Sequence, residues 1–387
     1  MLVRVEGRGG AITIYDRRTR LDSVECAPDA RPFEEAMSRY AFLILPSFNR
    51  VYAEAATRLA EAELEVFNQS VLSGRVSGID DSDIAGVPYV TFNCDALAAR
   101  DAEFLANLSS LYALFRVEGE NDALYPVPLR RLDRFDDDLI TILKYSGKTN
   151  EQFTKLLINV TMLSSRFAPD VLTRRLSVLD PLCGRGTTLN QALMYGFNAY
   201  GVDIDKRDIE TYSSFIQRWL KDKRLKHQAD FGPVRRNRQV VASRLRVSFA
   251  ATKDEYKAGD LQHIDVVHAE TGKVLDFFRP ESVDLVVADA PYGVQHGSRA
   301  TGKRLARSPV DLLSEGAPIW AKALRPGGAL GISWNTFVAS RDDAAATLAA
   351  AGLEVMDNGP YLNFRHRVDQ AIARDILIAR KPRPGRA

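Results

Sequence analysis

Two stretches in the second half of the chain put reactive or ligand-holding residue types at the ends of apolar runs. In the first, Asp180, Leu182, Cys183, Gly184, Gly186, Thr187 and Thr188 stand where strand-forming Ser177–Leu179 gives way to a helical run, Leu189–Tyr195. Glycines let a backbone pass close to a ligand, and a helix N-terminus offers N–H groups to a carboxylate or phosphate. A Gly-x-Gly turn by itself is equally well a tight strand-to-helix connection. Asp203 adds to it. It ends the next apolar stretch, Ala199–Val202, nineteen positions after Gly184, where a carboxylate can accept both hydroxyls of a ribose, a placement shared with nicotinamide enzymes. Ile204 follows it, and Glu270, just past a third strand, is a candidate for the far end of the same ligand or else a solvated turn residue.

In the second stretch the buried-strand pattern Val283–Ala288 runs directly into Asp289, Ala290, Pro291, Tyr292 and Gly293. Read alone, this is a strand ending in a Pro-containing turn with Tyr292 in the core. Behind a ligand loop in the right chain order, it puts a carboxylate and an aromatic ring at the active end of a sheet. Cys183 could be read as a nucleophile, but it lies in the ligand turn, where a small residue tolerated in a tight loop is the better account.

The turn at Asp180–Thr188 resembles the adenosylmethionine loop of class I methyltransferases more than a dinucleotide fingerprint. Asp289 to Tyr292 resembles the (Asp/Asn/Ser)-Pro-Pro-(Tyr/Phe) motif of amino-group methyltransferases. The resemblance implies S-adenosyl-L-methionine as cofactor, bound by Asp180, Leu182, Cys183, Gly184, Gly186, Thr187, Thr188, Asp203 and Ile204, with Glu270 toward its adenine. It implies that Asp289, Ala290, Pro291 and Tyr292 form the catalytic motif, the Asp289 carboxylate and the Ala290 carbonyl accepting hydrogen bonds from a target amine and Tyr292 stacking on the base. Ala290 departs from the usual first proline; its carbonyl is kept and its backbone is less constrained. The chemistry is consistent, because two acceptors on an aromatic amine favour a pyramidal, more nucleophilic nitrogen, and positioning supplies most of the acceleration.

The order of the motifs is similar to that of the tRNA guanine-N2-methyltransferases, whose catalytic domain follows a THUMP-bearing module. The likeness runs from about Phe153 to the end, including the helical Phe153–Val160 and the closing strands Arg367–Ala379. It implies methylation of guanine-N2 in tRNA. DNA adenine-N6 or cytosine-N4 transfer uses the same motifs on a flipped base and is the alternative. Residues after Gly293 are mostly consumed in finishing the sheet, not in forming a target-recognition domain, which favours RNA. A cofactor-binding but idle RNA-binding protein is a third reading, against which the intact Asp289 and Tyr292 speak.

A polyanion needs cationic surface. The first 130 residues hold thirteen Arg, no Lys and twenty acidic residues, whereas the whole chain is +2, so the back half is basic. Between Phe215 and Ala250 ten Lys and Arg face two Asp; Arg218, Lys221, Lys223, Arg224, Lys226, Arg235, Arg236 and Arg238 are the nucleic-acid candidates. Arg299, Lys303 and Arg304, after the Asp289 turn, form a second candidate loop. A solvated helix and hairpin face is the plainer account of the first cluster. Arg365, His366 and Arg367 read as surface.

These residues need a frame. From Leu176 onward apolar strands (Ser177–Leu179, Ala199–Val202, His263–His268, Val283–Ala288, Ala329–Trp334, Leu353–Met356, Ala371–Ala379) alternate with helices, the pattern of an α/β doubly wound, mostly parallel seven-stranded Rossmann-like sheet. Ahead of it, strands at Ala11–Tyr15, Ala41–Leu45 and Tyr89–Phe92 and helices at 50–67 and 101–114 predict a smaller N-terminal α/β (α+β) module. The domains expected are 1–130, a linker at 131–150 with Thr149 or Asn150 capping the next helix, and a catalytic domain at 151–387 carrying a basic insertion at about 215–250. Three cysteines without metal or redox spacing argue against disulfides and structural zinc, so no metal is expected. No apolar run of 18 residues occurs and Arg4, Glu6 and Arg8 interrupt any leader, so the expected location is the cytoplasm.

Overall fold

The computed structural model describes residues 37–47, 49–142, 148–290 and 309–383. The expected strand at Ala11–Tyr15, and Pro291, Tyr292, Arg299, Lys303 and Arg304, lie outside them. Among the described residues no helix is long and apolar enough to cross a membrane.

Among the described residues, the N-terminal module is one five-stranded antiparallel sheet with two helices. In chain order it comprises β1 (Ser38–Ile44), α1 (Arg50–Ser70), β2 (Ser77–Ile84), β3 (Val87–Cys94), α2 (Ala99–Leu105), β4 (Leu111–Glu118) and β5 (Ala123–Val127), in the strand order β2-β3-β1-β4-β5. Two details differ from the sequence reading. The Gly- and Asp-rich stretch before Tyr89 contains β2, closed onto β3 by Ala85 and Gly86, both at positive φ (54° and 81°), the backbone of a two-residue hairpin turn. The helix expected over 101–114 stops at Leu105, and Leu111 onward is β4. Its buried residues Leu111, Leu114 and Val117 fall three apart, which imitates a helical stripe although the chain is extended.

After the short α3 (Asp138–Thr141), α4 (Glu151–Ser164) opens the second half. Its N-cap is Asn150, whose side chain accepts from the N–H groups of Gln152 and Phe153. There follow β6 (Ser177–Asp180), α5 (Thr187–Met194), β7 (Asn198–Asp203), α6 (Lys206–Asp222), β8 (His227–Arg236), β9 (Gln239–Phe249), α7 (Lys253–Ala258), β10 (Gln262–His268), α8 (Val274–Phe277), β11 (Val283–Asp289), α9 (Pro309–Ala323), β12 (Leu324–Asn335), α10 (Arg341–Ala350), β13 (Glu354–Met356), β14 (His366–Arg367) and β15 (Ala373–Arg380).

These strands form one sheet of ten, in the order β13-β15-β12-β11-β6-β7-β10-β9-β8, with β14 on β15. All seven expected strands are in it as a contiguous block from β13 to β10. The additions are β14 and a long hairpin, β8–β9, which continues the sheet past β10 and contains most of the basic insertion. The parallel strands β6, β7, β10, β11 and β12 all end on one edge, so the loops after β6, β7 and β11 share a crevice.

The two halves meet through a buried polar network. Glu63 of α1 accepts from the Ser109 N–H and hydroxyl and from Asn159 Nδ2 of α4 at 2.7 Å; Asn159 also donates to the Asn107 carbonyl and accepts from Tyr195. Burial pushes the Glu63 carboxyl up to about 7 despite those donors.

Candidate active site

The candidate cofactor loop, after β6, is held from within. Asp180, 3 % exposed, accepts from the Leu182 N–H at 2.9 Å and from the Thr188 side chain. Burial, with Asp203 and Asp289 as like-charged neighbours, pushes its carboxyl up to about 7. Asp180 therefore ties the loop together. The chain then turns through Gly184 (φ 47°) and Gly186 (φ 81°), the latter the N-cap of α5. A Cβ at Gly186 would sit 2.4 Å from the Tyr212 ring of α6, whereas one at Gly184 would meet nothing within 4 Å. Gly186 is thus needed for packing, and Gly184 borders open space where a ligand can approach.

Asp203, at the end of β7, accepts from the Gly184 N–H (2.7 Å) through one oxygen and from the Asp205 N–H (2.8 Å) through the other. Each carboxylate oxygen keeps a further lone pair, which fits a ribose diol. Its pKa is raised, chiefly by burial. Beside it Ile204 is 60 % exposed, an apolar surface suited to the face of an adenine ring. Asp205 instead caps α6 through the Arg207 N–H, and Glu270 is half-buried at the start of the turn before α8. Cys183 is buried with its thiol pushed well above its ordinary range by burial, an inert loop residue. Glycines, diol acceptor and apolar ledge are a donor set that fits S-adenosylmethionine.

Asp289 ends β11, the neighbour of β6. Its Oδ2 accepts from the Thr149 hydroxyl at 2.5 Å and its Oδ1 from the Ser333 hydroxyl. The Ala290 N–H donates to the Ser333 carbonyl at 2.8 Å, pinning the turn to β12. Thr149 and Ser333 carry no motif that would have marked them; Thr149 looked like a helix cap, a task that Asn150 performs. Thr149 also lines a cavity of ≈ 530 Å³ between the two halves, with Asn49, Asp137, Lys148, Gln152 and Lys155. Phe337, two residues past the end of β12, is 63 % exposed.

The basic candidates separate. His268 at the active end of β10 is level with Asp203 on one side and with Ser243 of β9 on the other, and Ser243 is level with Pro233 of β8. Arg235, Arg236 and Arg238 lie beyond that row, past the cofactor end. Lys221, Lys223, Arg224 and Lys226 lie at the opposite end, where β8 begins. Lys223 pairs with Asp136 and Asp138, and Arg218 with Asp222. His366 corrects the surface expectation: it is 4 % exposed, its Nδ1 bonds the Phe364 carbonyl at 2.9 Å, and burial depresses it to about 4.

Residues 172–321 match the family described as UPF0020, RMKL-like, methyltransferase domain. No curated protein matches the chain. Among solved structures it is similar to TrmN from Thermus thermophilus (13 % identity over 89 % of this chain and 99 % of that one, TM-score 0.40). It is also similar to magnesium protoporphyrin IX methyltransferase from Synechocystis PCC 6803, solved with bound SAM (14 %, 63 % and 90 %, TM-score 0.36), and to 1,6-didemethyltoxoflavin-N1-methyltransferase from Burkholderia thailandensis (15 %, 60 % and 80 %, TM-score 0.35). Residues 172–321 thus carry a methyltransferase domain, on a Rossmann-like α/β sheet.

Proposed function

We propose that the protein methylates an exocyclic amino group of a nucleic-acid base, guanine-N2 in tRNA, with residues 151–387 as the catalytic domain and the N-terminal module as a substrate-docking one. The observation that carries this reading is Asp289, a carboxylate at the end of β11 beside the β6 cofactor loop, with both oxygens oriented by hydroxyls. An oriented acceptor at that place suits an amine, whose hydrogens need acceptors, better than an oxygen or carbon nucleophile. The cofactor, when bound, supplies an electrophilic methyl group. Asp289 and the Ala290 carbonyl hold the amine so that its lone pair points toward the cofactor crevice, and the proton shed by the alkylated nitrogen passes to Asp289 and on to water. Tyr292 is assigned by resemblance to stack on the base.

The test is methyl transfer from labelled S-adenosylmethionine to unmodified tRNA and to duplex DNA in parallel, followed by nucleoside digestion and mass analysis. N2-methylguanosine from tRNA is the expected product. Methylated adenine or cytosine in DNA would keep the mechanism and overturn the RNA assignment; label in neither, with cofactor bound, would favour an idle binder.

A further inference from the structure

The β8–β9 hairpin is built as a braced arm that overreaches the active edge of the sheet. Three residues of β8 (Val234–Arg236) and the first four of β9 (Gln239–Ala242) pass the row Asp203, His268, Ser243, Pro233, so at about 3.3 Å per residue the tip stands roughly 10 Å beyond that row. The turn residues Asn237 and Arg238 are both at positive φ (48° and 66°), as a two-residue hairpin turn requires. Glycine is the low-strain residue at the second of these positions, and the chain has arginine there.

The base of the arm is anchored. Arg244 makes two 2.6 Å bonds to the Asp265 carboxylate, and its guanidinium lies 5.6 Å from the Phe278 ring centroid. Nearer the tip, Arg236 pairs with Asp276 and lies 5.5 Å from the Phe277 ring centroid. Arg235 and Arg238 differ: both are exposed, and neither forms an ion pair among the described residues. Val240 and Val241 beside them are 57 % and 45 % exposed. Counting five strand intervals of about 4.8 Å from β11 to β8 places the arm roughly 24 Å sideways from Asp289, a reach of several nucleotides.

From this placement we infer that the hairpin tip is the phosphate-docking arm for the RNA substrate: Arg235 and Arg238 bind backbone phosphates at a distance from the target base, and Arg236 and Arg244 hold the arm rigid. The inference rests on the nucleic-acid reading above and deepens it, because it assigns docking to two of the ten cations in the basic segment. Cations at the other end of the sheet face away from the crevice.

The experiment measures tRNA binding by the full-length protein across a salt series, with methyl transfer and cofactor affinity alongside, for Arg235→Gln/Arg238→Gly and Arg235→Glu/Arg238→Glu. Glycine at 238 suits the turn, so the first variant separates loss of charge from loss of fold. Losing two phosphate contacts should lower the slope of log affinity against log salt by about 1.5. It should raise the KM for RNA tenfold or more, with kcat at saturating RNA and cofactor affinity unchanged. Lys253→Glu/Lys257→Glu, exposed on α7 at the far end of the sheet, should change none of these. Wild-type binding that survives both tip variants, or falls equally in the α7 variant, would overturn the docking assignment alone. A wild-type protein that binds neither tRNA nor DNA would overturn the functional reading as well.

Discussion

The Thr149 hydroxyl donates to Asp289 Oδ2 at 2.5 Å across 140 residues of chain, joining the segment before α4 to the end of β11. The bond orients the carboxylate that is assigned to hold the substrate amine, while Ser333 holds the other oxygen. Thr149→Val removes the donor at nearly constant volume, and because Asn150 caps α4, the helix should persist. The expected result is a kcat lower by about tenfold to a hundredfold, the range for loss of an orienting partner, with cofactor affinity unchanged and most activity restored in Thr149→Ser. A Val variant with unaltered kcat would show the bond to be incidental.

Asp289 and Asp203 should divide the labour. Asp289→Ala is expected to abolish methyl transfer and leave cofactor affinity nearly unchanged. Asp203→Ala loses both the diol acceptor and the anchor of the Gly184 N–H, and should weaken cofactor binding by about 2 kcal/mol, as the loss of a charged hydrogen-bonding partner does. Calorimetric titration with S-adenosylmethionine checks both variants; equal loss of affinity in the two would contradict the division.

The ten-stranded sheet was legible because its central strands are buried on both faces and read as continuous apolar runs, and Asp180, Asp203 and Asp289 mark the ends of three of them. The N-terminal sheet was less so. In β2, Asp80, Asp81 and Asp83 leave no apolar alternation, and in β4 the three-residue spacing of Leu111, Leu114 and Val117 imitates a helix. The hydroxyl clamp was invisible because nothing local distinguishes Thr149 or Ser333 from other hydroxyl residues; their value comes from tertiary placement. The basic segment looked like one patch in sequence, yet an extended hairpin sends Lys226 and Arg236 to opposite ends of the sheet. Periodicity reports what a residue's own element buries, and strand register decides which residues meet.

Gly186→Ala should cost both stability and cofactor binding. The position is left-handed at φ 81°, and the new Cβ would lie 2.4 Å from the Tyr212 ring, so Tyr212, fully buried in α6, would have to move. A loss of about 2 to 4 kcal/mol is expected from strain and overpacking together, read as a lowered Tm in the absence of cofactor. An unchanged Tm would mean that the α5–α6 contact is looser than the geometry indicates.

Glu63 makes the joint between the two halves pH-dependent. Its carboxyl is raised from 4.5 to about 7 by burial, so the folded protein holds a proton that the unfolded chain releases above about 4.5. Its contribution to stability is complete below that value and is lost as pH rises through about 7, on the order of a few kcal/mol in all. Asp180, raised to about 7 from 3.8, acts in the same direction. His366, depressed from 6.5 to about 4, acts oppositely: its contribution is present above 6.5 and is lost as pH falls through about 4. Glu63→Gln should therefore flatten the fall in Tm between about pH 5 and 7. A Gln variant with the wild-type pH slope would show that Glu63 is ionised in the folded protein, balanced by its three donors and by nearby Lys155.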